Sequence, residues 1–156
     1  MTERQREVIG VLLMAFGFLV FLSLISFNSL EEITIPKEIK NSNYLGFFGI
    51  GVSHFLIKLT FGWGALFIPF IFGITGWSLF TNRPSKFYIR QSLYFLGIGI
   101  WTSLIIWVFI QFNGIETKDY TASGLFIAKL GKLIYDFIGG FGLLLVLLIS
   151  ILLLIS

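Results

Sequence analysis

Four stretches of this chain run without a charged side chain for about the thickness of a bilayer. They are residues 8–27, 62–80, 92–112 and 140–156. About 20 apolar residues in a helix cover the ~30 Å hydrocarbon core of a membrane. Composition agrees: of 156 residues, 56% are hydrophobic and 12% charged, and the mean hydropathy is +0.94. A soluble domain carries about 25% charged residues, so the shortfall sets the class. The chain reads as an all-α integral membrane domain with four transmembrane helices. The first run is longer than the ~7–15 apolar residues of a secretory signal, and no small-residue cleavage site follows it, so it reads as a retained span.

The runs are embedded in a plan that occurs twice. At an offset of 78 positions Gly46 falls on Gly124, Phe48 on Phe126, Gly62 on Gly140, Gly64 on Gly142 and Leu66 on Leu144. Self-similarity of this kind bears directly on architecture. It predicts two copies of a helix–interfacial helix–helix unit. The interfacial helices are expected at residues 45–61 and 122–138, each ending at a glycine break, at Gly62 and Gly64 in one copy and at Gly139-Gly140 with Gly142 in the other. His54 and Lys58 stand four apart and share a helical face. Lys129, Lys132 and Asp136 make the polar face of the second copy against Leu130, Leu133, Ile134 and Phe137. Helices of this composition suit the headgroup plane, with lysines reaching water.

Small residues mark where helices can approach. Ala65, Pro69 and Gly73 recur every four positions along the second span, and Gly99 and Ser103 form a similar pair in the third. Pro69 predicts a kink. The polar loops 28–43 and 113–121 are the expected partner contacts, because exposed loops carry recognition. Basic residues orient membrane proteins. Arg4 and Arg6 precede the first span, and Arg83, Lys86 and Arg90 fall in a turn expected over 81–90. Six lysines on the other side are mixed with six acids, while all four arginines are on this one. Both termini are therefore expected in the cytoplasm.

No site for bond-breaking chemistry is legible. His54 is the only histidine, and Ser53 beside it points elsewhere on a helix. There is no cysteine, hence no thiolate ligand or nucleophile, and one histidine with scattered acids does not make a metal set. The Gly131–Lys132 pair lacks the rest of a phosphate-binding loop. No cofactor is expected. The net charge of +3 includes no basic stripe of the kind that grips nucleic acid. The spans lack the ionisable groups that coupled transporters place in the membrane. A small channel or transporter subunit is the rival reading, with Thr75, Ser78, Thr102, Ser103, Gln111 and Ser150 as its scattered polar residues. The chain stops at LLISILLLIS with no charged anchor, so it reads as the membrane part of a longer protein.

The opening RQREVIGVLLMAFGFLVFLSLISFN, the Asn43-Tyr44-Leu45-Gly46 start after the first loop, the Phe61-Gly62 break and the Gly76-Trp77 exit resemble a known pattern. It is the N-terminal four-helix membrane domain of the FtsK/SpoIIIE family of DNA translocases. The resemblance covers essentially the whole chain. It implies a domain of the bacterial inner membrane that anchors a hexameric, ATP-driven DNA motor at the division septum and contacts other division proteins. It implies self-association and a role in chromosome segregation. Motor, linker and DNA-reading module are absent from these residues, so neither nucleotide nor nucleic-acid binding is carried onto any of them.

Overall fold

The computed structural model describes residues 2–29, 43–114 and 120–155. Most of both polar loops, expected as partner contacts, lies outside the described residues. Within them the fold is helical with no strand. Four stretches are long and apolar enough to cross a membrane: Glu3–Ile25, Gly46–Phe80, Ser85–Phe112 and Leu125–Leu153.

Helix α1 (Glu3–Ile25) begins with a reciprocal cap. The Thr2 hydroxyl accepts from the Gln5 amide at 3.3 Å, and the Gln5 side chain accepts from the Thr2 amide at 3.0 Å. Two of the unpaired donors of a helix start are thereby satisfied.

The second stretch is four pieces of differing pitch. Helix α2 (Gly46–Ser53) leads into a π-helical segment, His54–Phe61, then a 3-10 segment, Gly62–Phe67, and then helix α3 (Ile68–Phe80). Gly62, at φ 57°, makes the break. Pro69 does not kink the middle of a span as expected. It stands at the start of α3, where its missing N–H leaves no helical bond unmade. The irregular backbone lies ahead of it.

Helix α4 (Ser85–Phe112) starts well before the expected 92, and the turn ahead of it shrinks to Thr81–Pro84. Asn82 takes a left-handed φ of 53°, and Pro84 ends the turn, since proline suits a helix entrance. Lys86 and Arg90 are thus helical residues. Helix α5 (Leu125–Ile155) is broken at Gly139, at φ 73° and ψ 173°. The break falls at the first member of the expected Gly139-Gly140 pair, and its spacing differs between the two copies. Gly62 follows Gly46 by 16 positions, whereas Gly139 follows Gly124 by 15, and all four have positive φ. The first copy carries one residue more, and a π-helical turn is how a helix absorbs such an insertion.

The chain divides into two compact units, Met1–His54 with Leu66–Leu96, and Phe55–Ala65 with Gly97–Ser156. In the first, α1 and α3 run antiparallel: Gly10 meets Gly76 and Phe80, while Gly17, two turns on, meets Pro69 and Phe72. In the second, Trp107, Val108, Ala128, Leu143 and Leu147 form the core, with Trp101, Leu104 and Ile134 packed on it. The Trp101 indole donates to the Leu147 carbonyl at 3.2 Å, which satisfies its polar edge in an apolar setting.

The large side chains face outward. Leu12, Phe18, Leu93, Phe109 and Leu152 are each more than 60% exposed, while Gly10, Gly17, Ser23, Ser53, Ser78 and Ser103 are buried. In water this would forfeit most of the hydrophobic driving force. In lipid it is the expected order, because helices there associate through small residues and leave their apolar bulk to the acyl chains.

Candidate functional site

Glycines and small polar residues join the helices within each unit. Gly10 and Gly76 lie backbone against backbone. A methyl group on Gly10 would stand 2.5 Å from the Gly76 carbonyl oxygen, and one on Gly76 2.6 Å from that of Gly10. A methyl group on Gly17 would stand 2.8 Å from the Phe72 Cβ. Of the expected small-residue ridge, Pro69 is buried at this contact. Gly73 is half-buried with open space beside it, and Ala65 is fully buried but belongs to the other unit. The true counterparts, Gly10 and Gly17, went unread. Their spacing of seven on α1, opposite Gly76 and Pro69, is the signal that could have found them.

At the other end of α1 a buried polar knot ties the start of α2. The Ser23 hydroxyl donates to the Gly49 carbonyl at 2.6 Å. Asn43, 5% exposed, donates through Nδ2 to the Ser23 carbonyl at 3.1 Å and accepts at Oδ1 from the Leu45 amide at 3.1 Å. Gly49 has no side chain because Asn43 fills that space. The Asn43-Tyr44-Leu45-Gly46 stretch thus has a physical reason. The asparagine bridges two helices, and Gly46 supplies a φ of 58°.

In the second unit Gly62 and Gly124 form a clasp. Each has positive φ, and each is packed on backbone atoms of the other's segment, Ala122 and Ser123 on one side and Thr60 on the other. The Trp63 amide donates to the Ala122 carbonyl at 3.1 Å. Gly64 sits on the Gly99 carbonyl and the Ser103 hydroxyl, so the Gly99–Ser103 pair receives Gly64. Gly140 lies under the Phe112 and Tyr135 rings, and Gly142 against Ile138 of its own helix.

Four of the six polar side chains expected of a pore are spent locally, while the buried Ser78 hydroxyl has no hydrogen-bond partner among the described residues. Thr102 and Ser103 donate to carbonyls of Ile98 and Gly99 in their own helix, Ser103 also reaches the Phe61 carbonyl, Ser150 donates to Leu147, and Thr75 pairs with Ser92. Among the described residues no group of three or more His, Cys, Asp or Glu could hold a metal.

Charge gathers in two places. His54 and Lys58 are half-buried along the π-helical segment, whereas Lys129, Lys132 and Asp136 are exposed on α5, beside Phe137 at 89% exposure. In the first unit the Arg6 guanidinium donates to the Arg83 carbonyl at 2.9 Å. The start of α1 and the turn before α4 are therefore at the same end of that unit. Arg4, Arg83, Lys86 and Arg90 are exposed.

A family model described as the 4TM region of DNA translocase FtsK/SpoIIIE matches residues 2–156. No curated protein and no solved structure matches the chain.

Proposed function

The chain belongs to the family of the 4TM region of DNA translocase FtsK/SpoIIIE, a multi-pass membrane region, and from that premise we propose that it anchors and recruits such a translocase at the division septum. The match over residues 2–156 carries the reading. On it, the domain lies in the bacterial inner membrane with both termini in the cytoplasm, and the motor that binds DNA and hydrolyses ATP is a separate domain beyond Ser156. The membrane domain does no chemistry and needs no cofactor. It holds the motor at the closing septum, self-associates as the motor's hexamer requires, and contacts other division proteins through the polar loops on its outer side.

The cluster of Arg4, Arg6, Arg83, Lys86 and Arg90 supports the orientation, since basic loops stay in the cytoplasm. The local bonding of the Thr75, Thr102, Ser103 and Ser150 hydroxyls supports an anchor over a channel, because conduction needs polar groups turned to a pore. Replacing residues 28–42 and 113–121 by neutral Gly/Ser sequence, with the structural Asn43 kept, tests the recruitment step. Septal enrichment of a fluorescent fusion should disappear while membrane insertion persists. Unchanged enrichment would remove the loops from the account.

A further inference from the structure

We propose that the first turns of α4, together with the Arg6–Arg83 contact, form a binding site for the phosphate headgroup of an anionic phospholipid. Lys86, Ile89, Arg90 and Leu93 follow one another at helical spacing and are all exposed, so they share one face. Two cations stand at its outer end. Ile89, 51% exposed, and Leu93, 63% exposed, continue it toward the span. The order along the helix is that of a lipid, charge first and acyl chain next.

Arg83 completes the charged end. Its guanidinium carbon stands 5.0 Å from the centre of the Phe87 ring, a cation–π contact that holds the side chain at the edge of α4. Arg6 is tied to the same turn by its bond to the Arg83 carbonyl. Four cations thus converge on one end of one unit. Between Asn43 and Gly114 the chain has no Asp or Glu at all, so Arg83, Lys86 and Arg90 have no acid on their own elements. Among the first unit's described residues the acids are Glu3 and Glu7, both exposed on α1. Basic clusters beside a span attract anionic lipid, and the apolar continuation of this face favours a lipid over any soluble polyanion.

The test uses the purified chain in detergent, where no membrane orientation can confuse the outcome. Mixed micelles of phosphatidylglycerol and phosphatidylcholine are added, and retained lipid is counted by mass spectrometry. The chain should retain phosphatidylglycerol preferentially, and Lys86→Gln with Arg90→Gln should reduce that preference roughly fivefold for each cation removed. Lys86→Arg with Arg90→Lys should keep it, and Lys129→Gln with Lys132→Gln should leave it unchanged. Helical circular dichroism checks that each variant is folded. Equal retention of both lipids, or an equal loss in the Lys129/Lys132 pair, would overturn the site. So would displacement of the lipid by inorganic phosphate, which points to a free-anion site, or by a short DNA duplex, which points to a nucleic-acid surface. The septal role is tested separately, so either can fail without the other.

Discussion

Gly10 and Gly76 meet with their backbones in contact, and neither position has room for a methyl group. The α1–α3 contact is built on this absence of side chains. In lipid, close approach is what dispersion and backbone contact demand. Gly76→Ala forces α3 away from α1 at a backbone atom that cannot yield. The expected destabilisation is about 1–3 kcal/mol. Gly73→Ala, three residues away with open space around it, should leave stability within about 0.5 kcal/mol. Thermal unfolding in detergent, followed by helical circular dichroism, separates the two.

The glycine breaks differ in what they require. Gly62 and Gly124 need both positive φ and empty space, while Gly139 needs only the conformation, since nothing stands within 4 Å of where its Cβ would be. Its pair of angles, φ 73° and ψ 173°, belongs to a region open almost only to glycine, at a cost of about 1–3 kcal/mol for other residues. Alanine at Gly62 or Gly124 adds a backbone clash to the strain of a positive φ. Both should lower the unfolding midpoint more than Gly139→Ala does.

Asn43 gives a prediction of another kind. Asn43→Ala strands the Leu45 amide and leaves the Ser23 carbonyl only the long 3.4 Å bond from the Ser26 hydroxyl, and a buried polar group left unpaired costs about 1–3 kcal/mol. Hydrogen exchange should rise at the start of α2, and less at α5.

Orientation gives a fourth. Replacing Arg83, Lys86 and Arg90 by glutamine removes every basic residue of the α3–α4 turn and the start of α4. Reporters fused in that turn should then lose their uniform cytoplasmic activity, since basic residues near span ends set topology. Retained orientation would leave Arg4 and Arg6 as the determinants.

The sequence carries some of this plainly and some not at all. The four spans are legible because a charge-free run of bilayer length has few other uses. The breaks are legible at Gly62 and near Gly139, where glycine alone takes the required backbone. The π-helical segment at His54–Phe61 that absorbs the extra residue has no compositional mark. Pro69 was visible as a helix disturber, but whether it kinks a helix or opens one depends on the backbone before it. Lys86 and Arg90 were visible as charges, yet their place on a helix was hidden, because a basic stretch with a proline reads as a turn. The Gly10–Gly76 contact needed two elements to be paired in space, and periodicity within one helix could not supply the partner.

The most direct measurement is the position of residues 1–156, fused to a fluorescent protein, in dividing bacterial cells. The account predicts a membrane signal concentrated in a band at the closing septum, without the motor attached. An even signal around the whole cell membrane would contradict recruitment by this domain and leave it an anchor alone.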